Sequence, residues 1–415
     1  MSLQPERGTA HGRRCVRPCP DREPVRAITN RPPVDPQRAL GELDNTTKSR
    51  TPPDDVCCVT GEITPEFDPL KKWELQAVAR LALGDRDRIN VCMRHVRADR
   101  REVDVRRSQK SGRPYYAGLM ACGSVWTCPV CAPKIQAVRA AEVRAAIDAW
   151  QGTVVLLTQT VPHRRDKDGH TEPLRPLLGR FTDASQRFKR GAPYKRASKR
   201  LGIAGSIRAL EVTDGRNGWH PHAHTILFLN GRSVSLKSIH GELFKLWESA
   251  AARAGFEGHL SPDAFSVQDA SKVRNYVTKM GTEYRWGPEH ELVKAHSKTA
   301  SRGLSPFDFL RFYDPDIDAK RSGRYLARFA EYADAFHGRR QLVWSDGLKK
   351  LLLGTEGLTD EQIAESIGEA DAVLARIPLA DWTIIRKHNL QGHVLEVVNR
   401  YGASGLEHLL EVYRL

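Results

Sequence analysis

The chain of 415 residues has no long hydrophobic run. Its most apolar stretches, such as "TILFL" at Thr225 to Leu229, are far too short to cross a bilayer, so no membrane association is expected. The first residues are polar and rich in Arg and Pro, without the apolar segment of a secretory leader. That points to a reducing cytoplasm, where cysteines bind metal or stay free more often than they pair. Internal repeats are missing too, which argues against solenoids and propellers. Acidic residues are in short supply: 50 Asp and Glu face 65 Lys and Arg, a formal charge of +15. Such an imbalance favours a polyanionic partner, most often nucleic acid. Residues 1–62 lack aromatics almost entirely, and nine of the 24 prolines fall in the first 60. A segment with so little to bury is expected to be a disordered arm.

What remains is a foldable sequence. Hydrophobic residues make up 40% and mean hydropathy is −0.49, as in soluble globular proteins, and the length allows more than one folding unit. Residues 94 to 144 carry eleven basic against four acidic side chains, and residues 180 to 200 carry eight against one. The last stretch, 355 to 415, reverses this at five against ten, which suits a protein-facing role. "WELQAVARLAL" and "EVRAAIDAW" have helical spacing, the second through Val143, Ile147 and Trp150. "TVVLLTQTV" (153–161), "GSIRALEVT" (205–213) and "HAHTILFL" (222–229) read as strands, the last two joined by "DGRNGWHP". "SQRFKRGAPYKRASKRLG" is a basic helix or loop whose Lys189, Arg190, Lys195, Arg196, Lys199 and Arg200 are candidate DNA contacts. Ser235 is an N-cap and Gly255 a stop for the next helix, "DASKVRNYVTKMG" predicts a short one, and "RRQLVWS" a late strand. Residues 355 to 415 read as mostly helical, opened by a capping box at Thr359 to Gln362.

"NGWHPHAH" places His220, His222 and His224 at alternate positions where a strand begins. Residues two apart on a strand share a face, so His222 and His224 are placed to hold one ion. If the turn closes symmetrically between Arg216 and Asn217, Glu211 falls opposite His222 on that face; a slip of one residue would turn it away. Two imidazoles and a carboxylate leave open coordination positions, as a catalytic ion requires. A lone histidine of this kind is more often a hydrogen-bonded structural group; His220, outside the strand, is the weakest ligand and takes a supporting role. "KVRNYVTKM" supplies a nucleophile. Lys272, Tyr276 and Lys279 share one helical face, and flanking ammonium groups favour the phenolate of a tyrosine that is otherwise a weak nucleophile. Tyrosines at a helix edge are ordinarily packing groups, so the histidines are what give Tyr276 this meaning.

Taken in order, "LLTQTVP", "EVT…NGWHPHAH" and "NYVTK" resemble the HUH endonucleases, in particular single-tyrosine rolling-circle replication initiators of plasmids. "CGSVWTCPVCAPKI" and "GRRQLVWSDGL" are similar to segments of one branch of those initiators, so the resemblance covers roughly residues 90 to 350. It implies an α+β fold: a central antiparallel sheet flanked by helices, with the histidine strand in the middle and the tyrosine helix facing it. It implies that His222 and His224 bind Mn²⁺ or Mg²⁺, and that Tyr276 attacks single-stranded or extruded origin DNA, leaving a 5′-phosphotyrosine and a 3′-OH primer. Lys279 matches the family's lysine after the tyrosine. A host helicase and polymerase would be the partners. Where some members carry a Glu one turn before the tyrosine, this chain has Lys272; Glu283 is a weak substitute and Tyr284 a weak second nucleophile.

Cys122, Cys128 and Cys131 form a knuckle-like set for a structural Zn²⁺, with Cys92 as the fourth ligand and His95 as the next choice. Against this stands the plainer reading of reduced core thiols. The expected organisation is an arm (1–62), a Cys-rich helical segment (63–150), an HUH catalytic domain (151–350) and a helical accessory region (351–415). A single-strand transposase keeps the same motif order and is the nearest alternative. A relaxase is disfavoured because Tyr276 follows the histidines by about fifty residues. A non-enzymatic, zinc-containing DNA-binding regulator would explain the charge and cysteines but not the histidine motif.

Overall fold

The computed structural model describes residues 71–414 apart from 86, 110–111, 164, 166–167, 232–234, 270–302 and 368–370. The expected arm, and the segment carrying Lys272, Tyr276, Lys279, Glu283 and Tyr284, lie outside the described residues. Along the chain, α1 (Lys71–Leu83) precedes β1 (Glu102–Arg107), β2 (Pro114–Ala117) and α2 (Cys131–Ala149). Then come β3 (Thr153–Thr160), α3 (Leu174–Arg190), α4 (Ala192–Leu201), β4 (Ile203–Gly215), β5 (Gly218–Leu229), α5 (Leu236–Arg253) and β6 (Phe265–Gln268). The last part holds α6 (Pro306–Arg311), α7 (Pro315–Phe336), β7 (Leu342–Trp344), α8 (Leu348–Leu353) and α9 (Asp360–Glu365). β8 (Ala372–Pro378), α10 (Leu379–Lys387) and α11 (Gln391–Arg414) complete the described chain.

The fold is α+β, with antiparallel sheets flanked by helices. The larger sheet has the order β6-β3-β5-β4-β7, so the histidine strand is its middle strand. β5 suits that place because every residue from Thr225 to Leu229 is buried. The two faces of the sheet differ. One face, carrying Val155, Leu157, Leu210, Val212, Trp219, Ala223 and Leu227, packs into the main core with α3, α5, α6 and α7. α5 contributes Ile239, Leu243 and Trp247, each fully buried; burial of such side chains is worth about 1.5–3 kcal/mol apiece. Ser235 caps this helix by accepting from the Ser238 amide, as its position predicts. On the other face Val154, Leu156, Ile207, Ile226 and Phe228 are covered by Val143 and Ala146 of α2 and Leu348 of α8.

The basic segment after β3 forms two helices, broken at the extended Gly191, with Pro193 in the first turn of α4. The tail is mostly helical and Thr359 makes the capping box with Gln362. It also contains β8, which the sequence reading did not place. β8 pairs with β1 in a second sheet of order β2-β1-β8, and Val103, Val105, Ile377, Trp382, Val394 and Leu410 form one core there. The acidic tail and the Cys-rich segment therefore share a sheet, across more than 260 residues of sequence.

Candidate functional site

The face of the sheet that α2 and α8 cover is apolar for only half its length. On β5 it runs His220, His222, His224 and then Ile226, Phe228; on β3, Thr160 and Thr158 and then Leu156, Val154; on β4, Thr213, Glu211 and Ala209 and then Ile207. β3 and β5 change from polar to apolar at the same level, and β4 one pair earlier, at Ala209. The apolar half docks the helices and the polar half stays partly open, with the side chains of His222 and His224 each 17% exposed and that of Glu211 35%.

The hairpin fixes the register. Gly215 pairs with Gly218 around Arg216 and Asn217, which sets Glu211 opposite His222 and Ala209 opposite His224. Neither Arg216 nor Asn217 has a positive φ; the left-handed residue is Gly218, at φ +89°. A Cβ at Gly218 would also stand 2.7 Å from the Cβ of Thr171, so both conformation and space call for glycine. The tip is held from outside: Arg328 grips both oxygens of Asp214 at 2.6 and 3.0 Å and lies over the Trp219 ring at 4.5 Å. Leu304 closes two backbone hydrogen bonds with Asp214, bringing the chain back beside the hairpin after residue 302.

Within this frame the Glu211 Oε2 lies 3.1 Å from His222 Nε2 and 3.5 Å from His224 Nε2. One ligand atom from each of the three falls within 4.8 Å of the others, so the group could hold a metal ion. The far nitrogens are oriented by neighbours: Thr158 Oγ1 is 3.0 Å from His224 Nδ1, and the His220 carbonyl is 3.3 Å from His222 Nδ1. Burial works against charge on Glu211, but hydrogen bonds from His222 and His224 outweigh it and hold the carboxyl well below its ordinary range. Burial likewise opposes a charged His222, and Glu211 more than restores it, raising the imidazole above its usual value.

His220 stands apart from the ligand group. Its ring is hydrogen-bonded to Thr160 Oγ1 and stacks on His163 at 4.2 Å between centroids. Burial, then the neighbouring His163 and His222, lower its pKa to about 4, so it is a neutral imidazole at pH 7. His163, Thr158 and Thr160 are parts of the site that the sequence reading missed. The period-2 threonines of "TQT" and a histidine just past the strand were the available signal.

A second cluster assembles from three stretches of chain: Cys92 in the turns after α1, Cys122 and Cys128 in the loop before α2, and Cys131 at the first turn of α2. All four are free and buried. Their sulfurs lie 3.4 Å (Cys92–Cys131), 3.6 Å (Cys92–Cys128) and 3.8 Å (Cys122–Cys131) apart. Four sulfurs each about 2.3 Å from a zinc ion would stand about 3.8 Å apart at the corners of a tetrahedron, so this set matches that donor geometry. N–H groups point at the sulfurs: Gln76 Nε2 at 3.5 Å and the Cys131 amide at 3.4 Å to Cys128, and the Ser124 amide at 3.5 Å to Cys122. Hydrogen bonds with neighbouring thiols push Cys92 and Cys122 above the ordinary thiol range. Burial opposes ionisation of Cys128 as well, yet hydrogen bonds from the other three cysteines draw it well below. Thiols this close cannot all ionise unless a cation joins them. His95 is exposed and outside the group.

Of the basic residues, Arg190, Lys195, Arg196, Lys199 and Arg200 are exposed along the end of α3 and α4, with Arg200 paired to Glu242 at 2.7 Å. Lys189 turns inward and donates to Ser206 Oγ at 2.9 Å.

No family model and no solved structure matches the chain. The neomycin resistance protein of Streptomyces cyanogenus is 33% identical over 30% of this chain and 33% of its own length. The protein rep of Streptomyces lividans is 31% identical, the match spanning 63% of this chain and 70% of that protein. Likeness of that extent, sustained over most of both chains, makes this protein a member of the same family as the Streptomyces lividans protein rep.

Proposed function

We propose that the protein is a plasmid replication initiator of the HUH, single-tyrosine type, which nicks origin DNA of its own replicon and primes rolling-circle synthesis. The observation that carries this reading is the set of Glu211, His222 and His224 ligand atoms within 4.8 Å on the open half of a sheet face. Kinship with a protein named rep supports it independently.

Tyr276 is the proposed nucleophile. Its phenolic oxygen bonds to phosphorus as the P–O3′ bond breaks, the phenolic proton is lost to solvent and the 3′-oxygen gains one. The product is a 5′-phosphotyrosine with a free 3′-OH, and reversal of the same exchange rejoins the strand. Lys279 and Lys272 are proposed to sit against the phosphate and favour the phenolate. When bound at Glu211, His222 and His224, Mn²⁺ or Mg²⁺ would supply Lewis-acid polarisation of the scissile phosphate. Thr158 and the His220 carbonyl hold the two imidazoles with one nitrogen turned to Glu211. Tyr276 is within reach of this face by chain length. Gln268 pairs with Leu156, two residues along β3 from the partner of His224, which sets its backbone about 12 Å from His224. The eight residues from Asp269 to Tyr276 extend up to about 29 Å.

The four cysteines are proposed to hold a structural Zn²⁺, and Arg190, Lys195, Arg196, Lys199 and Arg200 to contact DNA phosphates. Lys189 is proposed to act from inside, and a host helicase and polymerase would extend the primer. The test is incubation with Mn²⁺ or Mg²⁺ and single-stranded oligonucleotides from the replicon's origin. A covalent adduct is expected, absent from Tyr276→Phe and His222→Ala. Cleavage that persists in Tyr276→Phe would overturn the nucleophile assignment, and an adduct unaffected by His222→Ala would overturn the metal assignment.

A further inference from the structure

The face of the large sheet opposite the histidines carries a group of cations with no acid among the described residues paired to them. α3 turns Thr182, Ser185 and Lys189 toward it, three or four residues apart and so on one side of the helix. β4 presents Ser206 and Arg208, two apart and so on one face, beside the edge strand β7. Arg339 enters from the turn after α7. Lys189 Nζ is 2.9 Å from Ser206 Oγ, which is 3.1 Å from Ser345 Oγ, and Arg339 Nη1 is 3.0 Å from Thr182 Oγ1. Arg208 is close enough to feel the charges of both Lys189 and Arg339 and makes no hydrogen bond or ion pair with any described residue. Its cross-strand neighbour Thr225 is fully buried with an unpartnered hydroxyl, and so, at 5% exposure, is Ser185.

The electrostatics run the same way. Burial, then the Arg208 charge, brings Lys189 down to about 8; burial, then Arg339, lowers Arg208; burial, then Arg175, lowers Arg339. Among the described residues no carboxylate relieves any of the three. Neighbouring acids are taken: Asp183 pairs with Arg187 and Asp334 with Arg175. Half-buried cations that repel one another are costly in a folded chain, and guanidinium groups bring planar donor sets suited to phosphate oxygens. Arg339 and Ser345 also line a groove of about 950 Å³, so this end of the cluster meets solvent, in a groove that Asp346 and Glu361 line as well.

We propose that Lys189, Arg208 and Arg339, with the hydroxyls of Thr182, Ser206 and Ser345, form a phosphate-binding site on the face of the sheet opposite the histidines. The phosphate is one of a nucleic-acid backbone, because the exposed Arg190, Lys195, Arg196 and Lys199 continue the basic surface from Lys189 along α3 and α4. Free phosphate shares the chemistry. This assignment rests on the DNA-binding part of the proposed function only for the source of the phosphate, and it requires no cleavage.

Arg208→Gln and, as a second variant, Lys189→Met test it by two readouts that do not involve cleavage. Thermal melting of the full chain is measured in inorganic phosphate and in chloride at equal ionic strength. Phosphate should raise the melting temperature of the parent protein and have little effect on either variant. In chloride Arg208→Gln should melt at or above the parent, because it removes repulsion. Duplex binding is then followed against salt concentration. Loss of one phosphate contact should weaken it about tenfold and lower the log–log salt slope by about 0.9. A phosphate response with an unchanged salt slope supports the site and assigns it to a free anion. Variants that keep the parent's phosphate response and salt slope overturn the proposal, as does Arg208→Gln melting well below the parent in chloride with its phosphate response intact. Failure of the nicking reading is recognised separately, by the absence of any adduct or cleavage with the parent protein.

Discussion

The histidine and cysteine clusters are built by opposite means. Glu211, His222 and His224 come from two strands joined by a two-residue turn, and they sit on a half-open sheet face with mixed nitrogen and oxygen donors. Cys92, Cys122, Cys128 and Cys131 come from three separated stretches and lie inside the main core with sulfur donors alone. A metal ion held by the first arrangement would keep coordination positions for substrate and water, and one held by the second would have none left, which is the difference between catalytic and structural metal sites. Local sequence specifies the open site through strand period and register. The closed site needs the fold to bring its stretches together, and Gln76 of α1 donates there to the Cys92 carbonyl and to Cys128 Sγ.

That contrast can be broken most decisively at the cysteines. Cys128→Ser is expected to lose about one equivalent of zinc and with it cooperative unfolding of the core. Structural zinc contributes about 10–16 kcal/mol of apparent binding energy in small zinc modules. Metal analysis with thermal melting measures both, and a variant that melts like the parent would refute a structural ion. Glu211→Gln should do the reverse: nicking falls by more than about 100-fold and needs more Mn²⁺, while zinc content and melting temperature hold. If melting falls with activity, the open site is structural as well. Thr158→Val removes the hydroxyl beside His224 Nδ1 and should cost about tenfold in metal affinity, read by titrating Mn²⁺ against nicking rate. An unchanged Mn²⁺ dependence would show that the sheet alone orients His224. Gly218→Ala gives the smallest effect on activity, and should cost about 1–2 kcal/mol of stability from the left-handed backbone and more from the clash of its Cβ with Thr171, measured by chemical denaturation. A neutral result there would mean that the hairpin is not what holds the register.

Much of the open site was legible. The alternation of "HPHAH", the position of Arg216 and Asn217 at the turn, and the polar-to-apolar change at Thr225 led to the pairing of Glu211 with His222 that the structure contains. The helix caps at Ser235 and Thr359 were legible because a single side chain and its next amides suffice to make them. Thr158 and His163 were not, since their role depends on which strand lies beside β5. β8 was missed because its partner β1 stands more than 260 residues away, and its exposed Val373 beside a half-buried Leu374 gives no clean period. Lys189 read as a DNA contact and Arg208 only as part of a strand, and the packing of α3 on β4 is what turned them inward together.

By itself, then, the sequence determined the local devices: helix stripes, caps, the hairpin register and the face shared by two histidines, all set by periods of two and 3.6 residues. Tertiary structure decided what needs distant segments to meet. It joined Cys92 to Cys131, the tail to the first sheet strand, and a set of like charges to one pocket, because burial and the matching of strand edges act across the folded chain and leave no period to read.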